Sequence, residues 1–257
     1  MKINDILEKL EAFAPKALAY EWDNVGLLCG NRDAAVKGVC VCLDASLDAI
    51  EKAIENDCNV ILTHHPFIFR KIGEIDYNSY FGKMMNLIMK NDISVISAHT
   101  NMDKAKDGIN QRLAQSLELE NIKILEKDRN NEAAGMGRYG DLKEEMTFGE
   151  FCEFVGEKLK TPLRAIGNRD KIIKRAAVGG GSCIEMADLA MSEGCDVFVT
   201  GDVKYHEAMD YMREGLCIID AGHYATEICV VDIFEEMLLG TDVKIVKEMN
   251  SDVYSFV

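Results

Sequence analysis

Five histidines stand among 257 residues, and each follows the end of an apolar run or the turn just after one. His64 and His65 come after NVILT, His99 after ISVISA, His206 after DVFVTGDVKY and His223 after LCIIDAG. If those runs are strands, the histidines collect at one edge, where α/β sheets gather their ligands. Carboxylates accompany them: Asp103 lies four residues after His99, and Glu227 four after His223. On a helix, residues four apart share a face, so His223 and Glu227 can grip one ion. His64 and His65, adjacent in extended chain, point apart. That pairing suits two ions, or one ion with a supporting contact, better than a single shared site. Imidazole mixed with carboxylate fits Zn, Fe, Mn or Ni, and two-metal sites of this kind activate water as a nucleophile.

Other residues offer chemistry with a plainer alternative beside it. Asp23, in WDN, either caps its own turn or supports a ligand histidine. Asp202 and His206 are spaced to share one face of a short helix, orienting substrate or moving a proton, or else form an N-cap with an exposed imidazole. Lys204 and Tyr205 either meet an anionic substrate or are simply solvated. Gly179-Gly180-Gly181-Ser182 reads as a phosphate cradle or as a tight turn, and it lacks the Gly-Lys-Thr ending of a P-loop. Thr63 and Thr200 read as strand ends.

The elements that must position these groups alternate. An amphipathic helix over 3–14 precedes a turn and strand in EWDNVGLLCG. Strands are predicted at 38–43, 59–63 and 93–98, with helices at 47–56, 80–90 and 108–117. Wholly apolar runs such as VCVCL suit parallel strands buried on both faces. The polar, Gly-rich stretch 126–146 gives no clear element, and a helix follows it in TFGEFCEFVGEKL. Alternation resumes with strands at 176–179, 196–200, 216–220 and 243–246, and helices at 183–192, 203–213 and 224–239.

A repeat lies within this order. A shift of 137 lays Val39–Pro66 over Ala176–Val203 without a gap, and a shift of 123 lays Ile93–Ala98 over Leu216–Ala221. Two matches in the same order point to two related α/β halves facing each other. The expected division is a lobe over 1–125, carrying His64, His65 and Asp103, and a linker plus second lobe over 126–257, carrying His223 and Glu227.

Composition limits the partners. Acidic residues outnumber basic ones 44 to 29, a net charge of -15, which opposes nonspecific binding to nucleic acid or anionic membrane. The densest basic group, Lys171–Arg175, has three cations in five residues and no interleaved aromatics to stack bases. Without an apolar run of about 18 residues, or a signal-like start, the expectation is a cytoplasmic protein with no membrane partner. Nine cysteines, none spaced C-x-x-C and most within apolar runs, read as buried free thiols.

EWDNVGLLCG, ILTHHPFIF, SAHTNMDKAKDGIN, TGDVKYHEAMD and AGHYATE, in that order from Trp22 to Glu227, resemble the dinuclear-metal-centre family of GTP cyclohydrolase I type 2 homologues. The resemblance implies two related α/β lobes, with mostly parallel or mixed sheets, facing a shared dinuclear metal site. It places the ligands of two divalent metal ions on His64, His65, Asp103, His223 and Glu227. It sets His99 and His206 close to the metals, where they would transfer protons. It also implies a homohexamer, and a metal-dependent hydrolase acting on a nucleotide or another small phosphorylated substrate. Two alternatives are a phosphoesterase and a non-catalytic metal-binding scaffold for a protein partner. The inserted domain of longer members has no room here between 125 and 175.

Overall fold

The computed structural model describes residues 1–255, with eleven strands among them. They are β1 (Gly26–Cys29), β2 (Gly38–Cys42), β3 (Val60–Thr63), β4 (Ser94–Ser97), β5 (Glu120–Lys127), β6 (Gly135–Thr147), β7 (Arg164–Ile166), β8 (Ile172–Ser182), β9 (Val197–Gly201), β10 (Cys217–Asp220) and β11 (Lys244–Glu248). The described residues form two compact units: Met1–Met102 with Val230–Ser251, and Asp103–Cys229 with 252–255. The units therefore do not divide at 125 as expected. The last helix and strand return to the first unit, because β11 completes its sheet by pairing in parallel with β2.

In the first unit the sheet order is β1-β4-β3-β2-β11. Strands β2, β3 and β4 run parallel and are buried at every position, which accounts for their unbroken apolar sequence. β1 closes one edge antiparallel to β4. Helix Leu47–Glu55 starts where Ser46 accepts a hydrogen bond from the Ala49 amide, and helix Tyr80–Lys90 where Ser79 accepts from Gly82. They bury Ala49, Ile50, Met84 and Ile88 with Ile61 and Val95 of the sheet. Each such large side chain, fully buried, contributes about 1.5–3 kcal/mol.

In the second unit the order is β5-β6-β8-β9-β10-β7, with β8, β9 and β10 parallel and the other pairings antiparallel. Helix Phe148–Leu159 begins in a reciprocal Thr147–Glu150 capping box and buries Phe148, Phe151 and Val155 against Ile173, Val178 and Val197. The first sheet is thus mostly parallel and the second mixed, as expected.

The repeat holds at the level of register. Val39 pairs with Val60 and Ala176 with Val197, each residue displaced by 137. Val60 pairs with Ser94 and Val197 with Cys217, displaced by 137 and 123. The antiparallel edge strands correspond too: Gly26 faces Ser97, and Arg164 faces Asp220.

Three elements differ from expectation. The stretch 120–147 is a long antiparallel hairpin, β5–β6, whose buried Arg138 donates to the carbonyls of Ala105, Gly135 and Gly137. The short edge strand β7 was not foreseen. The single helix expected over 224–239 is two, His223–Glu227 and Val230–Leu238. None of the nine cysteines is in a disulfide, and all but the half-buried Cys29 and Cys229 are buried. Among the described residues no helix is long and apolar enough to cross a membrane.

Candidate metal centre

In the first unit, the chain leaving β3 and β4 carries three histidines. Their ring centroids lie 5.0 Å (His64–His65), 5.1 Å (His64–His99) and 5.8 Å (His65–His99) apart. One ring nitrogen from each falls within 4.8 Å of the others, close enough to hold a metal ion. Backbone pairing fixes the turn, since the His64 amide donates to Cys42 O at 3.3 Å and the His65 amide to Leu43 O at 3.0 Å.

Each ring is oriented through Nδ1. His64, fully buried, donates to Ala98 O at 2.8 Å. His65 donates to Asp44 Oδ1 at 2.8 Å, and His99 to Asp23 Oδ1 at 2.9 Å. Asp23 Oδ2 in turn accepts from the Thr100 amide at 3.1 Å and the Thr100 hydroxyl at 2.6 Å. Burial alone would raise the Asp23 carboxyl, but the hydrogen bonds from His99 and Thr100 outweigh it and hold the group at about 2. Asp23 also accepts from the Asn24 amide at 2.8 Å, so it caps its turn and supports a histidine at once.

In the second unit, the short helix His223–Glu227 puts His223 Nε2 3.0 Å from Glu227 Oε2. His223 Nδ1 donates to Asp202 Oδ2 at 2.7 Å. Asp202 holds a left-handed φ of 55°, uncommon for a non-glycine residue and a mark of a position held by its surroundings. A carboxylate oxygen of Asp103 lies within 4.8 Å of one of Glu227, and both residues are buried. Burying carboxylates is costly unless they are paired or coordinate a metal. Asn110 anchors this region, donating to Asp103 O at 3.1 Å and accepting from the Gly180 amide at 2.8 Å. Cys183 lies nearby, but burial, reinforced by Glu185, Asp103 and Glu227, pushes its thiol well up. Burial thus disfavours its thiolate, and the nitrogen and oxygen donors nearby are a set that fits first-row divalent ions.

Gly181 explains part of the glycine run. A Cβ there would stand 2.2 Å from Glu227 Oε1 and 3.1 Å from His223 Nε2, and its φ is +63°. The run lies in β8, not in a loop before a helix. Gly181 makes room for one carboxylate, Glu227, and one imidazole, His223, so the tight backbone there serves the acid and the histidine.

His206 is exposed in the first turn of helix Tyr205–Glu214, in edge contact with Tyr205. Among the described residues it belongs to no group that could hold a metal. Asp202 lies outside that helix, so the expected Asp202–His206 helical pair does not form. Lys204 is exposed and paired with Glu207. Thr63 and Thr200 are buried strand ends. Sequence reasoning missed Asp44 as a histidine support and gave Asp202 a different role. The signal that would have found both is an acid at the carboxyl end of the neighbouring parallel strand.

The family model described as Duf34/NIF3 (NGG1p interacting factor 3) matches residues 1–253. A GTP cyclohydrolase 1 type 2 homolog of Clostridium acetobutylicum is 39% identical, over 100% of this chain and 99% of its own. A Methanocaldococcus jannaschii protein of the same name is 35% identical, over 93% and 95%. Among solved structures, a Staphylococcus aureus hypothetical protein superposes with TM-score 0.93 at 29% identity, covering 100% of this chain and 99% of that one. Reduced HcgD from Methanocaldococcus jannaschii gives TM-score 0.83 at 34% identity, covering 96% and 97%.

Proposed function

This chain belongs to the Duf34/NIF3 family, and from that premise we propose that it holds two divalent metal ions and hydrolyses a nucleotide-type substrate with their help. The proposed ligands are His64, His65, Asp103, His223 and Glu227. One observation carries the reading. The three ligand histidines, His64, His65 and His223, have Nδ1 facing an oxygen that can only accept: Ala98 O, Asp44 and Asp202. A neutral imidazole held that way carries its lone pair on Nε2, which is the arrangement of a metal-ligating histidine with its supporting acceptor. Asp103 and Glu227 supply the negative charge that divalent ions favour.

Bound divalent ions would supply Lewis acidity and lower the pKa of water at the site. The remaining work falls to the chain. His99, with Asp23 at Nδ1, is suited to take and return a proton at Nε2, because the carboxylate stabilises the imidazolium that forms. We assign that role to His99 ahead of the exposed His206. The name shared by the relatives, GTP cyclohydrolase 1 type 2 homolog, favours a purine nucleotide as the first substrate to test. The homohexamer implied by the resemblance is carried forward with this reading, and light scattering that finds a stable monomer would contradict it.

The test is turnover. Metal-loaded protein is incubated with GTP and with a panel of phosphoesters, alongside a chelator-treated control and His99→Gln. Metal-dependent loss of GTP, reduced at least a hundredfold in His99→Gln, is expected, in line with about 10²–10⁴-fold from a positioned acid–base group. Hydrolysis of phosphoesters alone would reassign the reaction. No turnover with ions bound would make the protein a metal-binding scaffold.

A further inference from the structure

Two exposed aromatic side chains in the first unit stand side by side next to the histidine trio. Trp22 is 60% exposed and Phe69 49%. Their ring centroids lie 6.0 Å apart at 79°. Each meets His99 edge to face, Trp22 at 6.2 Å and 72°, Phe69 at 6.3 Å and 89°. Single exposed apolar residues are ordinary on protein surfaces, but contiguous aromatic ones mark a place where something binds.

The pair is held in place. Tyr20 stacks beneath Trp22, at 5.5 Å and 19°. The turn carrying Trp22 is closed by the Asp23 amide donating to Tyr20 O at 3.0 Å. Asp23 fixes that turn to His99 and Thr100, and the Tyr20 amide donates to Thr100 Oγ1 at 3.1 Å. Asn24 Nδ2 donates to Ile68 O at 2.6 Å, tying the tryptophan turn to the residue preceding Phe69. The exposed aromatic faces are thus fixed relative to one another before any ligand arrives, which lowers the ordering cost of binding. Arg70 and Lys71 follow Phe69 directly and are exposed, two adjacent cations in a chain of net charge -15.

We propose that Trp22 and Phe69, nearly perpendicular, form an aromatic platform on which a planar heteroaromatic ring stacks against one and meets the other edge-on, with Arg70 and Lys71 meeting an anionic group on the same molecule. A nucleoside monophosphate has this chemistry: a π-face for the aromatics and a phosphate for the cations. The platform abuts His99 and so presents the ring beside the imidazole assigned to proton transfer. This inference rests on the proposed function and specifies its substrate class.

Trp22 is the only tryptophan in the chain, so its fluorescence reports the platform directly. The metal-loaded full chain is titrated with GMP, guanosine and ribose 5-phosphate, and metal content is measured on the same samples. Saturable quenching by GMP is expected, with weaker affinity for guanosine and no quenching by ribose 5-phosphate. Phe69→Ala should weaken GMP binding about tenfold, within the range of one lost stacking contact. By equilibrium dialysis, Trp22→Ala should show a similar loss and Trp22→Phe should retain most of the affinity. Arg70→Ala with Lys71→Ala should bring GMP down to the affinity of guanosine. Ions bound with no quenching, or equal GMP affinity in wild type and Phe69→Ala, would overturn the platform and leave the metal reading intact. Absence of ions in the wild type would instead overturn the metal reading, whatever the nucleotide does.

Discussion

The two halves of the repeat share strand register yet end their strands in different residues. Where the first half has His64-His65 after β3, the second has Gly201-Asp202 at the end of β9, displaced by 137. Where the first has His99-Thr100 after β4, the second has Gly222-His223 after β10, displaced by 123. The strand register repeats and the chemistry does not. The first half sends imidazoles straight from its strand ends. The second uses its turn to start a short helix, so that His223 and Glu227 meet at 3.0 Å. One device persists in both. Asp44, just after β2, orients His65 after β3, and Asp202, after β9, orients His223 after β10, each acid 21 residues upstream of its histidine. The device has moved over by one strand.

The largest expected effect separates the halves at positions 44 and 181, which correspond under the repeat. Gly181→Ala would place a methyl 2.2 Å from Glu227 Oε1. That atom ends a flexible side chain, so the carboxylate should yield while the fold survives. Calorimetry should find a stability cost of about 1 kcal/mol from the left-handed backbone, and elemental analysis a loss of metal. Metal retained in full would mean that Glu227 is not a ligand.

A smaller effect is expected from the supporting acids. Asp202→Ala should lower metal affinity about 10–100-fold, the usual cost of losing the acceptor behind a ligating histidine. Asp44→Ala should act in the same direction through His65. Metal titration in a competing chelator compares them, and no change in either would mean that the acids serve only the turns.

The smallest effect concerns Asp23. Its folded value of about 2 lies below the ordinary 3.8, so the ionised carboxylate stabilises the fold above 3.8 and that contribution fades as pH falls through about 2. Urea unfolding as a function of pH should show this acid-side loss in the wild type. In Asp23→Asn the loss should be reduced and the stability at neutral pH lower. Identical pH profiles for the two proteins would remove Asp23 from the network.

Much of the fold was legible because β2, β3, β4, β9 and β10 are buried on both faces and so keep unbroken apolar runs that periodicity detects. The β5–β6 hairpin was not. The outer part of β6 is exposed and polar, and its inner part carries Gly135, Gly137 and Gly140. Added Cβ atoms at Gly135 and Gly140 would stand 2.1 Å from Glu126 O and 2.5 Å from Glu120 O, so close backbone approach demands glycines that read as loop in a linear sequence. The histidines were legible from their position after strands. Their Nδ1 partners were less so: Asp23 is 76 residues from His99, and Asp44 and Asp202 become meaningful only once strand order is known. Trp22 and Phe69 come together only through a turn and a loop that no periodicity predicts.

Metal content tests the central claim most directly, because it reads one ligand from each half. Reconstituted wild-type protein, washed free of loose ions and analysed for its elements, should carry about two divalent ions per chain, as a two-metal site requires. His64→Ala, in the first half, and Glu227→Ala, in the second, should each lower that occupancy while circular dichroism shows the fold intact. Full retention of both ions in both variants would contradict the account.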